Sequence, residues 1–456
     1  MTPDRIGALA RELRGSVSTD PRALARAGRD GSHLSGRPLA VVAPRDADEV
    51  GVLVRWARHE RIGLVPRGAG TSLDGESVPR DGTVVVDLSG WTAVREVRAE
   101  ERWARVDPGV VNRTLQSVLE PLGWFFPPNP GSWATSTIGG HVGTNASGPR
   151  SFRYGPTRAW VRGLEAILGT GERVRLGSRA PKRSLGPDLL GLLVGSEGTL
   201  GIVTEVTVGL APLPGVRRGL VVPLPPDVAL GRLSAALGSA PGTGLSAIEY
   251  LDTECARDLA EDRGAAWPTG AALLLLEVEA ADPGEADARQ ARIARRLESA
   301  GVRAPPLVYD DANRLWSERG ESGRVLDERF GERIREDIAV PVPAVDALRA
   351  AIDRIAAREG VRVFVFAHLG EGSLHPNFVV DPSGPAAARI RDALYAESLR
   401  LGGTISGEHG VGALKAPYVA RELGPTAVGM LRAVKRACDP DGILNPGKLY
   451  PPPEAG

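Results

Sequence analysis

Three of the six histidines fall between positions 368 and 409, in two short motifs, HLGEGSLH at 368–375 and GEHG at 407–410. Imidazole and carboxylate are the ligands that divalent transition ions take most readily. The spacing predicts a strand over 362–366, a second over 377–380, and a two-residue hairpin turn at Glu371 and Gly372. His368 would then stand opposite His375. Directly opposed hairpin residues have Cβ atoms roughly 5 Å apart, so two imidazoles could share one ion. Glu408 would arrive from a separate loop as a third ligand, leaving a coordination position open for substrate. The competing reading is a pair of surface-turn histidines beside an unrelated Glu-His dipeptide, since two histidines seven positions apart have no established ligand spacing. Gly370, Gly372, Gly407, Gly410 and Gly412 favour the site, because glycines that bracket polar residues suit close backbone approach or positive φ.

These motifs need elements to hold them. From about residue 216 the pattern alternates strands with longer helices: strands at 219–223, 246–251, 271–278 and 334–340, and helices at 227–237, 285–300, 345–358 and 386–401. That order implies an antiparallel sheet with helices on one face. The prolines at 212 and 214 mark a domain boundary. Before it, short strands at 40–42, 62–66, 83–88 and 104–106 alternate with glycine-rich turns and few helices, 46–61 being one. The tail at 446–456 is too proline-rich for a final helix. The whole reads as α+β.

Composition narrows the function classes. Lysine plus arginine equals aspartate plus glutamate, 56 each, so no charge excess recommends nucleic acid or an anionic membrane. Two distant cysteines, Cys255 and Cys438, argue against a disulfide framework, a zinc ribbon or an iron–sulfur cluster. The first fourteen residues carry charges throughout and lack the apolar run of a signal peptide. No apolar stretch reaches membrane-spanning length. The expected location is the cytoplasm, with peripheral membrane attachment as the alternative.

PRGAGTSLDG at 66–75 follows a strand and offers glycines, two hydroxyls and successive backbone N–H groups, the ingredients of an anion-binding nest. It is neither G-x-G-x-x-G nor a lysine-bearing phosphate loop. Three further segments follow it: VDPGV at 106–110, STIGGHVGTN at 136–145 and GSEGTLGIV at 195–203. In this order and spacing they resemble the FAD-binding domain of the vanillyl-alcohol oxidase and p-cresol methylhydroxylase superfamily. The C-terminal motifs are similar to its branch of D-lactate dehydrogenases, glycolate oxidase FAD subunits and D-2-hydroxyglutarate dehydrogenases. The resemblance runs from about residue 20 to 449.

It implies a two-part FAD-binding domain over 1–213 with an N-terminal helical segment at 1–35, a substrate or cap domain over 214–430 holding a metal site, and a segment at 431–456 returning to the flavin domain. Arg67, Gly68, Ala69, Gly70, Thr71 and Ser72 would cradle the pyrophosphate. Pro108, Gly109, Ser136, Thr137, Gly139, Gly140, Thr144, Asn145, Glu197, Gly198, Ile202 and Asn445 would line the rest of the cofactor. The same likeness implies that His368, His375 and Glu408 bind one divalent ion (zinc, manganese or iron), that His409 is the catalytic base, and that Arg319 and Arg335 bind the substrate carboxylate. A guanidinium suits a planar carboxylate. The implied reaction is oxidation of a D-2-hydroxy acid (D-lactate, glycolate or D-2-hydroxyglutarate) to the 2-oxo acid. Electrons would pass to a quinone, an electron-transfer flavoprotein, a cytochrome, a separate iron–sulfur subunit or oxygen. This sequence departs from the family pattern at Glu371 and Ser373, where Asp and Asn are usual, at His141, usually Asn, and at Arg335, which some relatives replace by Lys. The flavin loop lacks the histidine that some members link to FAD, which implies a dissociable cofactor. The alternatives are a transferase like alkyldihydroxyacetonephosphate synthase, an oxidase acting on a different alcohol, and a flavin-binding protein without turnover.

Overall fold

The computed structural model describes residues 2–180, 182–264 and 267–451. Two compact units emerge. The first comprises residues 1–147, 155–213 and 408–456, and the second residues 148–154 and 214–407. The proline-rich tail reaches Pro451 without a helix; 452–456 lie outside the described residues.

In the first unit, Ala40–Ala43, Val84–Asp87 and Leu64–Arg67 form a parallel array, with Ser16–Ser18 antiparallel at one edge. Helix Ala47–Glu60 starts where Asp46 Oδ1 accepts the Glu49 N–H at 3.0 Å, and it buries Val50, Leu53, Val54 and Ala57 at helical spacing. A second, antiparallel sheet orders Val94–Arg98, Trp103–Val106, Gly201–Gly209, Val161–Leu168 and Arg173–Gly177. Each sheet has a core of its own, with Ile167 and Ile202 of the second sheet packing into the core of the first, hence a two-part domain. The segment STIGGHVGTN carries helix Ile138–Thr144, begun by the Thr137 hydroxyl accepting the Gly140 N–H.

The second unit is built on an eight-stranded antiparallel sheet. Its order is Leu307–Tyr309, Val216–Leu224, Ala272–Ala280, Leu245–Leu251, Val363–His368, Ser373–Phe378, then Ile334–Arg335, with Ile338–Ala339 also pairing Ser373–Phe378. On one face Val221, Leu275, Leu251 and Phe364 pack against helices Thr253–Arg263, Ala312–Gly320 and Ser322–Phe330. Residues of opposite parity, Leu220, Leu274, Ile248 and Tyr250, are equally buried. The sheet is therefore covered on both faces, not one as its alternating pattern suggested. The central strands had already signalled this with continuous apolar runs.

Candidate active site

Toward one end, the sheet face that carries Phe364 and Leu251 turns from apolar to charged. Because strand side chains alternate with period two, His368 and Phe366 lie on the same face as Ser373, His375 and Asn377. The hairpin register pairs His368 with Ser373 and Phe366 with His375. This corrects the expected direct opposition of the two histidines. The strands run on to His368 and begin again at Ser373, so the connection takes four residues, 369–372, and the histidines sit diagonally. A slip of two residues preserves the face. Their ring centroids are 4.9 Å apart and nearly perpendicular, and both side chains are buried.

A carboxylate from the neighbouring strand fixes the first ring. Glu249, fully buried, receives His368 Nδ1 at 2.6 Å through Oε1 and Arg319 Nη2 at 3.2 Å through Oε2. The Arg319 guanidinium lies 4.5 Å over the Phe366 ring, whose centroid is 5.1 Å from that of His375. Its Nε has no hydrogen-bond partner among the described residues. His375 Nδ1 is 3.7 Å from Asp337 Oδ1, and that oxygen accepts the Ser373 hydroxyl at 3.1 Å. Arg335 sits opposite Asn377 in register and bonds Asp327. The buried arginine of this segment is Arg333, bonded to Asn377 and Asp327. Glu371, in the hairpin connection, bonds Ser151. A Cβ on Gly407 would stand 2.6 Å from both Asp337 Oδ1 and Ser373 Oγ, and Glu408 follows by one peptide bond.

One turn along the same helix as Arg319, Trp316 donates its Nε1–H at 2.5 Å to Glu277. Glu277 also receives Arg150 Nε at 2.8 Å, Arg150 Nη2 at 3.0 Å and the Ser246 hydroxyl at 2.7 Å. Burial alone would raise this carboxyl, but the Arg150 charge and its hydrogen bonds hold it down at about 2.

In the first unit, strand Leu64–Arg67 delivers the loop 67–72. Among the described residues no protein acceptor takes the backbone N–H groups of Gly68, Ala69, Gly70, Thr71 or Ser72. Such a row of free donors fits a diphosphate. Gly68 packs on Thr137, and Gly139 packs on Pro108 beside Gly109, so no larger side chain fits between these segments. Ser136 bonds His141 Nε2 at 2.8 Å, and burial lowers His141 to about 4, leaving it neutral near pH 7. Helix Ile138–Thr144 ends on Asn145, whose Oδ1 accepts the Arg158 N–H. Glu197 follows against Gly143 and precedes Gly198, on the way to Ile202 in the strand. Asn445 ties the loops together through Nδ2, bonding the backbone carbonyls of Glu76 and Glu197.

His409 lies on this unit, its Nε2 3.9 Å from Glu408 Oε1. The next residues are pinned down: Glu197 accepts Val411 N–H at 2.6 Å and Gly412 N–H at 2.9 Å. A Cβ on Gly410 would meet Glu76 and Glu197 carboxylate oxygens at 2.7 and 2.9 Å. Burial lifts Glu197 to about 7, and burial with the Glu197 charge raises Glu76.

Sequence reasoning missed Glu249, Asp337 and Glu76. For Glu249 the signal was available: a lone carboxylate inside the otherwise apolar run LSAIEYL.

Residues 38–177 match the FAD binding domain, and residues 214–449 match the family described as FAD linked oxidases, C-terminal domain. The chain belongs to the FAD-linked oxidase family. Among curated FAD-linked relatives, the glycolate oxidase subunit GlcD of Bacillus subtilis is 34% identical over 91% of this chain and 89% of its own. The D-2-hydroxyglutarate dehydrogenase of Stutzerimonas stutzeri is 32% identical over 96% of each chain. The D-lactate dehydrogenase of Archaeoglobus fulgidus is 32% identical over 90% and 91%. In fold, p-cresol methylhydroxylase aligns with a TM-score of 0.82 at 16% identity, over 98% of this chain and 96% of that one. The family assignment makes this FAD-linked chain an FAD-dependent oxidoreductase.

Proposed function

We propose that this protein oxidises a D-2-hydroxy acid of the lactate, glycolate or 2-hydroxyglutarate class to the 2-oxo acid. The observation that carries the reading is one buried sheet face holding two imidazoles 4.9 Å apart beside an arginine whose Nε has no partner among the described residues. A metal-liganding pair and a carboxylate-binding cation are what an α-hydroxy acid presents itself to. The names of the relatives support the substrate class.

When bound, FAD is the sink for the hydride that leaves Cα, and a divalent ion (zinc, manganese or iron) lowers the pKa of the substrate hydroxyl. His368 and His375 would hold that ion with Glu408, which chain continuity brings one residue beyond Gly407. Two imidazoles and a carboxylate form a donor set that suits such ions. Arg319 binds the substrate carboxylate, its guanidinium braced on Phe366, and Arg335 supplies a second cation. His409 accepts the hydroxyl proton on a ring nitrogen. The free N–H groups of Gly68–Ser72 hold the cofactor pyrophosphate without a covalent link. The electrons then leave to a separate acceptor. No helix among the described residues is long and apolar enough to cross a membrane, and we assign the protein to the cytoplasm or a membrane periphery.

Anaerobic mixing of the FAD-loaded protein with D-lactate, D-2-hydroxyglutarate and glycolate tests the reading and ranks the substrates. Bleaching of the visible flavin absorbance by at least one is expected. A spectrum unchanged by all three would sink it.

A further inference from the structure

We propose that Glu249 is a positioning residue that fixes His368 and Arg319 together, so that one buried carboxylate sets both the metal ligand and the substrate cation. This rests on the metal and substrate reading above. His368 Nδ1 stands 2.6 Å from Glu249 Oε1, while His375 Nδ1 stands 3.7 Å from Asp337 Oδ1, beyond a normal hydrogen bond. His368 is therefore oriented by a hydrogen bond to Glu249, and the His375 ring packs against Phe366.

A carboxylate oxygen can only accept, so a neutral His368 must carry its proton on Nδ1 and keep its lone pair on Nε2. That is the tautomer a metal needs, and ligand histidines are commonly fixed this way. The second oxygen of Glu249 takes Arg319 Nη2 at 3.2 Å, which leaves Nε as the buried donor with no partner. Arg319 thus keeps a buried donor, Nε, that Glu249 does not take and that a ligand could. Strand Leu245–Leu251 is otherwise apolar or lightly polar and fully buried, so a carboxylate there is costly unless it is paired twice, as this one is.

The alternative is a purely structural ion pair between Glu249 and Arg319. Glu249→Gln separates the two, because an amide can flip its NH2 toward Nδ1 and stabilise the wrong tautomer. The FAD-loaded protein is stripped of metal, and zinc affinity is measured by competition with a chromogenic chelator. Imidazole nitrogen shifts are recorded by long-range proton–nitrogen NMR at about pH 8, above the ordinary histidine pKa of roughly 6.5, with His368→Ala identifying the signal. Zinc affinity is expected to fall about ten- to a hundred-fold in Glu249→Gln, with loss of the pure Nδ1–H pattern of His368. Glu249→Asp, which keeps the charge and draws it back, should fall between. If Glu249→Gln does not retain FAD, the Glu249→Asp affinity and the wild-type tautomer decide the matter. A wild-type His368 protonated on Nε2, or equal zinc affinity in wild type and variant, overturns this inference alone. A wild type that takes up no zinc overturns the metal reading and this inference with it.

Discussion

Replacing Arg150 by Met should destabilise the second unit in a way that depends on pH with a defined sign. Arg150 grips the fully buried Glu277 through two hydrogen bonds of 2.8 and 3.0 Å. The drop of Glu277 from 4.5 to about 2 is worth roughly 3 kcal/mol, at about 1.4 kcal/mol per pH unit. Removing one partner of a buried pair costs about 3–5 kcal/mol by analogy with other proteins, which agrees. Because the folded pKa is depressed, this stability is fully present above 4.5 and is lost as the pH falls toward 2. In Arg150→Met, burial dominates and pushes Glu277 above its ordinary value. Its contribution then reverses, falling as the pH rises through the acid range. The gap between wild type and variant should therefore be wider at neutral pH than near pH 5, read as the urea midpoint of near-ultraviolet dichroism in the FAD-loaded protein. Trp316 bonds the same carboxylate and lies one turn from Arg319, so KM for the hydroxy acid should rise too. A midpoint unchanged at neutral pH, or displaced equally at both values, would refute the assignment of Glu277 as an anion held by Arg150.

Acid precipitation should release all the flavin as free FAD into the supernatant; colour left in the pellet would mean a covalent link. Arg319→Met should lower kcat/KM by about ten- to a hundred-and-fifty-fold, the equivalent of roughly 1.5–3 kcal/mol for a charge-assisted contact, and kinetics within threefold of wild type would exclude a substrate contact. His409→Asn should keep FAD and metal yet slow flavin reduction about a hundred- to ten-thousand-fold; falling metal content would point instead to a ligand role. Metal analysis of the purified protein should find one equivalent, lost in His368→Ala and His375→Ala, and full activity after exhaustive chelation would rule the ion out.

The family was legible because its signature is local: glycines and hydroxyls at fixed spacing in four loops, each shaped by contacts that a side chain would block, as Gly68 on Thr137 shows. The shared face of His368 and His375 was legible for the same reason, since period two is a property of any strand. The register was not. It depends on how far each strand stays paired, and here pairing reaches His368 and Ser373, with Ala339 pairing Ser373 from the other side. Helices Thr253–Arg263 and Ala312–Gly320 were overlooked although Asp252 and Asp311 cap their first turns, accepting the Cys255 and Asn313 N–H groups. Without them, and without helix Ser322–Phe330 that carries Asp327, nothing in the sequence could place Arg319 over Phe366 or send Arg335 to Asp327. Long-range pairing of this kind leaves no local pattern.

The diagonal hairpin also limits how this chain can change length. If the connection keeps its length, a single residue gained or lost at 369–372 would shift the pairing by one and turn His375 to the face now occupied by Leu374, Pro376 and Phe378. Changes of two would leave both histidines where they are needed, altering only which residue stands across from each. Insertions and deletions that survive in this loop should thus come in even numbers, making the hairpin a parity check on its own descent.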